Sequence, residues 1–361
     1  MTEDIGDKVY DLQMQAWRLP EGETQLRLYE EALRLAEQSR NLDLIFPAKL
    51  YVASSAGNTG YEEKTMAALA WCVATFEKDE QRFQEYQKRL VSHLKTFLCS
   101  VSQYSRITRE QIEDLLQQFE SLLRRFGYSM RTALYVRMHY ARKTGNRLSA
   151  IELHDKYVLY PRDNMSSKVE EETEAEFWHA YFLGDFDKAI QSAEEILTAN
   201  PSSSYVLHNT YTGILRPLAI HKRYEEADQY QKKGYRLIRN NRAFLDRVGQ
   251  QIAYLVHRER PATAIRMFER HLFWALETHD QTSRFYFYVA AKNLFCSLPQ
   301  KRPTRKLSLP PSFPLYEESN EYDVAKLIDW LQQQISPLAI AFDQRNGNDY
   351  FSREIPAQLK Y

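Results

Sequence analysis

Asp343, Gln344, Arg345, Asn346, Asn348 and Asp349 are gathered around Gly347 in the stretch AFDQRNGNDYF. Oxygen-bearing side chains around a glycine are what a calcium loop requires. Such a loop, turning at Gly347, places ligand oxygens five, three and one residues before the glycine and a bidentate acid six after it. Phe342, Gln344, Asn346 and Arg353 occupy those positions, so residue type rules calcium out. The stretch reads instead as a helix stop. Ser336 caps and Pro337 opens a helix whose buried part is Leu338, Ile340, Ala341 and Phe342. Asn346 and Gly347 supply the left-handed conformations that end it. Asp343 and Arg345 then pin the turn, and Tyr350 and Phe351 tuck back.

Other chemistry is sparse. The chain lacks the glycine-rich phosphate loops, the nucleophile elbow and the HExxH pair of zinc proteases. Its one ExxH, Glu176 to His179, has no second copy for a carboxylate-bridged metal pair and reads as ordinary helix surface. The nine histidines stand singly, at ligand spacing to none of the three cysteines, Cys72, Cys99 and Cys296. No catalytic residue, metal or cofactor is therefore expected. The cysteines read as small buried hydrophobes of a reducing, cytoplasmic compartment. The N-terminus is acidic and has no apolar core of a secretory signal, and no run of apolar residues is long enough to span a membrane.

The elements that would position any site must be helices. Of 361 residues, 43% are hydrophobic and 27% charged, glycine numbers only 11, and Leu, Ala, Glu, Gln, Arg and Lys predominate. Lys plus Arg equals Asp plus Glu at 48 each, which argues against a dedicated nucleic-acid binder.

A repeat is visible in the second half. TGNRLSAIELHDKYVLYP, LGDFDKAIQSAEEILTANP, HKRYEEADQYQKKGYRLI and RERPATAIRMFERHL align on Ala150, Ala189, Ala227 and Ala264, at steps of 39, 38 and 37 residues. Phe186 and Tyr224 stand three before the alanine, and Ala193 and Phe268 four after it. The alanine faces a preceding helix where only a small side chain allows close approach. The residue four later shares its face. The upstream partners are residues 130–143, 170–183, 203–221 and 243–257. Each unit is thus a helical hairpin that buries its apolar face by stacking on its neighbours. Leu28–Ser39, with Tyr29, Ala32 and Ala36, and Gly60–Trp71, with Tyr61 and Ala68, look like degenerate copies. Residues 79–102 and 108–126 are two long helical stretches between them and the clear repeats.

This pattern resembles the tetratricopeptide repeat, in a divergent, bacterial-looking form. GDFDKAIQSAEEILTANP carries Gly184, Phe186, Ala189, Ala193 and Pro201 at the family's glycine, aromatic, alanine, small and proline positions. The upstream helices depart from the family's Trp, Leu and Gly pattern, and the period exceeds the usual 34 or so. The resemblance implies an all-α, right-handed helical-hairpin solenoid over residues 1–297, clearest over 130–297. A Pro-rich extended linker or strap follows at 298–320, where Leu309, Phe313, Leu315 and Tyr316 look ready to pack and Pro311 and Pro314 have docking-peptide spacing. Capping helices occupy 321–361.

In that family the first helix of each hairpin lines the concave face. The implied site is Tyr135, His139 and Arg142, then Glu174, Trp178 and Tyr181, then Asn209, Thr212 and Arg216, then Asp246, Gln250 and His257. Such a set suits an extended peptide: amide side chains on its main chain, arginine on a carboxylate, aromatics on its side chains. The alternative is a solvated groove in which Trp178 and Tyr181 simply pack. The expected function is a non-enzymatic scaffold for a protein or peptide partner. A peptide sensor whose solenoid changes shape on binding is the alternative, and an enzyme on a helical scaffold comes third.

Overall fold

The computed structural model describes residues 5–199, 201, 203–299 and 303–361. The basic pair Lys301 and Arg302 and the first four residues of the acidic N-terminus lie outside them. Helices make up 77% of the structure, so the chain is all-α. It divides into two compact units: residues up to Tyr104 with Glu110–Arg137 and Lys156–Ser166, and Ser105–Arg109 with Met138–Asp155 and Ser167–Tyr361.

The first unit contains α1 (Ile5–Trp17), α2 (Glu23–Ser39), α3 (Leu42–Thr59), α4 (Glu62–Lys78), the short α5 (Glu80–Phe83), α6 (Gln87–Ser100) and nearly all of α7 (Arg109–Arg125). Each of α1 to α4 packs on the next. The reason is patterning: Leu26, Tyr29, Ala32 and Ala36 repeat at helical spacing on α2 and are all buried. Residues 79–102 are not one helix, because a 3₁₀ turn at Gln84–Tyr86 separates α5 from α6. That turn leaves Phe83 stacked on Phe46, ring centroids 4.4 Å apart. Lys64, standing where an alanine would be, instead faces Glu30 of α2 in an ion pair.

Residues of both units occur in α8 (Arg131–Lys143) and α9 (Arg147–Tyr157). The second unit continues with α10 (Val169–Leu183), α11 (Phe186–Ala199), α12 (Ser204–Gly213), α13 (Leu215–Ile220), α14 (Tyr224–Ile238), α15 (Leu245–His257), α16 (Pro261–Glu277) and α17 (Gln281–Cys296). The aligned alanines Ala150, Ala189, Ala227 and Ala264 are each fully buried. Neighbouring helices pack in pairs, α10 on α11, α12 and α13 on α14, and α15 on α16. The third upstream helix is broken between α12 and α13, since Pro217 has no N–H to offer the carbonyl of Gly213.

After α17 a two-stranded ribbon pairs β1 (Thr304–Lys306) antiparallel with β2 (Glu321–Asp323). Between them Leu307, Leu309 and Phe313 are buried, and Phe313 meets Trp330 edge-on at 4.8 Å. Then a single helix, α18 (Val324–Asn346), replaces the two expected there. Pro337 sits inside it, one hydrogen bond lost without a break, while Ser336 accepts from Gln332 rather than capping. Continuity also changes which residues are buried: Phe342 is, but Ile340 is 55% exposed. The stop occurs as expected, with Gly347 at φ 69° and its N–H on Asp343 O. Asp343 also accepts from the N–H groups of Phe351 and Ser352. A π turn (Tyr350–Glu354) and α19 (Ile355–Gln358) complete the chain. Cys296 corrects one expectation: as the last residue of α17 it is exposed, whereas Cys72 is buried.

Candidate functional site

The rows expected to bind a ligand lie on the first helices of the hairpins. Within the second unit α10 packs on α12, α12 on α15, and α15 on α17. Side chains one repeat apart therefore meet. Arg247 Nε donates to Asn209 Oδ1 at 2.8 Å, and Gln251 Nε2 donates to Thr212 Oγ1 at 3.1 Å, across 38 and 39 residues. The Arg247 guanidinium also lies 4.3 Å from the Trp178 ring centroid, donates to Gln250 Oε1 at 3.3 Å and stands 3.5 Å from Asp246. Trp178 Nε1 donates to Glu174 Oε1 at 3.1 Å. Four of the expected residues, Asn209, Trp178, Gln250 and Asp246, thus meet one that was not expected, Arg247, and Glu174 joins them through Trp178.

The network is mostly buried. Asn209 and Thr212 are each 2% exposed and Arg247 7%. Burial raises the Glu174 carboxyl above its usual range, against the Trp178 hydrogen bond. The Asp280 carboxyl, which caps α17, is likewise raised by burial. Burial, and then the nearby Arg247 guanidinium, pull the Lys143 ammonium down to about 8. Lys143 has no hydrogen bond or ion pair among the described residues; Asp246 and Asp280 are the acids that act on it. The Tyr205 phenol is raised by the protein around it although 57% of the residue is exposed.

Three further expected residues gather elsewhere. The Arg216 guanidinium covers the Phe186 and Tyr181 rings at 5.0 and 5.7 Å. His257 stacks on Tyr361 with centroids 4.9 Å apart. At the first repeat the rows divide. Arg142 is buried, donating to the carbonyl of Ala175 at 3.1 Å with His139 beside it at 3.2 Å. Tyr135 belongs to the first unit, where its ring lies 6.3 Å from Tyr157 and Lys95 covers it at 5.3 Å.

His179 is not helix surface as its ExxH setting suggested. It is 4% exposed and stacks on His154 with centroids 4.1 Å apart, while both oxygens of Glu176 lie 2.9 Å from His154 Nε2. Burial lowers its imidazole to about 4. Among the described residues no group of three or more His, Cys, Asp or Glu is placed to hold a metal ion, and no helix is long and apolar enough to cross a membrane.

The first unit has a cleft of its own, roughly 380 Å³, between α2, α3 and α4. Glu30, Glu37, Lys49, Lys64 and Trp71 line it. Lys49 pairs with Glu37 at 2.9 Å and covers Trp71 at 5.2 Å.

Arg247, Lys143, Tyr205 and Tyr361 were absent from the expected site. Arg247 had a signal: it stands one repeat period after Asn209, so the step that aligns the alanines also finds this pair. Lys143 follows Arg142 directly, and nothing local marks Tyr361. No protein-family model matches the chain, and no curated protein is similar to it.

Proposed function

We propose that the second unit is a tetratricopeptide-like repeat array whose first helices bind an extended peptide segment of a partner protein, without catalysing a reaction. The network around Arg247 supports this reading most. Its buried bonds, Arg247 to Asn209 and Gln251 to Thr212, fix neighbouring first helices against one another, so the more accessible side chains around it lose little freedom on binding. Trp178, Tyr181 and Tyr205 stand beside the network, half-buried or exposed, and offer large amphipathic contact areas. Lys143 adds a cation for a ligand carboxylate.

Selection of a random peptide display library on the full chain tests the proposal. Enriched peptides should lose about tenfold or more in affinity with Tyr205→Ala, with the melting temperature unchanged. Arg216→Glu should abolish capture of a stoichiometric protein partner from native lysate. Absence of enrichment, or binding indifferent to both Tyr205→Ala and Lys143→Ala, would sink the peptide reading. Turnover of a small molecule would sink the non-enzymatic one. The alternative, a peptide sensor, draws support from one contact: Tyr361 reaches the same rows as the proposed ligand.

A further inference from the structure

The chain beyond Gly347 has an anchored part and, after it, a residue held only by its ring. Asn348 Nδ2 donates to Thr144 O at 2.7 Å, and Tyr350 packs on Gly145 and edge-on to Phe182 at 6.0 Å. Ile355 and Leu359 are buried in the core of the second unit, and Asn293 Nδ2 reaches Leu359 O at 3.4 Å. Beyond that, Lys360 is exposed and Tyr361 is held by its ring. That ring stacks on His257 at 4.9 Å with 17° between planes and lies 6.2 Å from Tyr254, with Tyr181 and Arg216 in its surroundings. The seat is built for an aromatic: two tyrosines, an imidazole and a guanidinium already lying over the Tyr181 ring. Tyr181, Arg216 and His257 also belong to the rows proposed to take a peptide.

We propose that Tyr181, Arg216, Tyr254 and His257 form a subsite for an aromatic side chain of the bound peptide, and that Tyr361 is its internal occupant, displaced when that peptide binds. This rests on the peptide-binding reading and adds to it the kind of residue the peptide carries. Tyr361 makes no hydrogen bond among the described residues, so ring packing alone retains it. A ring held by packing alone opens locally without disturbing the core beneath it. While it is seated, the affinity of any competing aromatic falls by the fraction of molecules with the seat open.

The probe is N-acetyl-tyrosine amide, with N-acetyl-alanine amide as control, titrated against the full chain by saturation-transfer NMR. Tyr361→Ala should bind the tyrosine probe roughly tenfold more tightly than the wild type. It should ignore the alanine probe, and should lose the gain when His257→Ala is added. Saturating probe should also speed amide exchange at residues 359–361 of the wild type. Equal binding by wild type and Tyr361→Ala overturns the proposal, as does a gain that survives His257→Ala. Loss of cooperative melting in both Tyr361→Ala and Tyr361→Leu overturns it as well, because the ring would then be part of the core. These failures leave the display selection untouched, so a wrong subsite and a wrong function remain distinguishable.

Discussion

The two units are built from similar helical hairpins but dispose of their charge differently. In the first, charges that meet across helices neutralise one another: Lys49 with Glu37, Lys64 with Glu30, Arg125 with Glu80, and Arg137 with Glu113 and Glu120. The Trp71 ring in its cleft is already covered by Lys49. In the second unit comparable ion pairs fall on or beside the second helices, as between Arg223 and Glu194 and between Arg260 and Asp228. The first helices carry hydrogen-bonded amides around Arg247, and Lys143 stands beside them without a partner among the described residues. A face that has neutralised itself offers an incoming ligand little. A face held rigid by a buried polar network, with Tyr205 exposed beside it and the Lys143 ammonium outside any ion pair among the described residues, offers it more. The proposed function falls on the second unit for that reason.

The largest expected effect tests whether the second unit is as tightly fixed as this contrast requires. Gly127 in the first unit and Gly145 in the second both adopt left-handed conformations, at φ 70° and 78°. A Cβ added at Gly127 meets nothing within 4 Å, whereas at Gly145 it falls 2.4 Å from Tyr350 Cγ. Gly127→Ala should cost about 1 kcal/mol, the backbone penalty alone. Gly145→Ala adds displacement of a buried ring and should cost about 3 kcal/mol. Chemical denaturation measures both. Equal losses would mean that Tyr350 yields freely and that the anchored part of the C-terminal segment is not anchored.

Arg247→Met comes next. It leaves Asn209 and Asp246 without their cation in a largely buried setting, and about 2–3 kcal/mol should be lost in urea melts. A loss under about 0.5 kcal/mol would show that the network is not a fixed element of the second unit.

What could be read before the structure divides along the same physical line. The helical class and the buried alanines were legible, because composition and a small residue at a crowded helix contact are local facts. So was the stop at Gly347, since a left-handed residue after an apolar stretch has few other uses. The single helix over Pro337 was not legible, because a helix interior tolerates one missing hydrogen bond when tertiary packing favours continuity. The His154–His179 stack and the seat of Tyr361 were hidden for another reason. They join residues far apart in sequence, and only the packing of one helix on another brings them together.

Acid should affect both units alike, which sharpens the contrast by showing what they share. His93 in the first unit and His179 in the second are each lowered by burial from 6.5 to about 4. Both are held neutral when folded, so the unfolded chain binds protons first as pH falls. Their contribution is complete above pH 6.5 and is lost progressively toward pH 4. The melting temperature should drop by several degrees over that window, and His179→Asn should flatten part of the drop. A melt that is level from pH 6.5 to pH 4 would show that neither imidazole is held neutral.

The smallest effect is the most direct check on the first unit. Lys64 and Glu30 are 45% and 35% exposed in their side chains, so water and salt screen the pair. Lys64→Ala should cost under about 1 kcal/mol, and a double-mutant cycle with Glu30→Ala should give a coupling of a few tenths of a kcal/mol. The coupling should shrink further in molar salt, because solvent rather than protein surrounds the two charges. A coupling above about 2 kcal/mol that persisted in salt would place a fixed polar network in the first unit too. Its cleft would then compete with the Arg247 rows as the place where a partner binds. A weak, salt-sensitive coupling means instead that these charges keep the cleft hydrated, and the pre-organised polar surface belongs to the second unit.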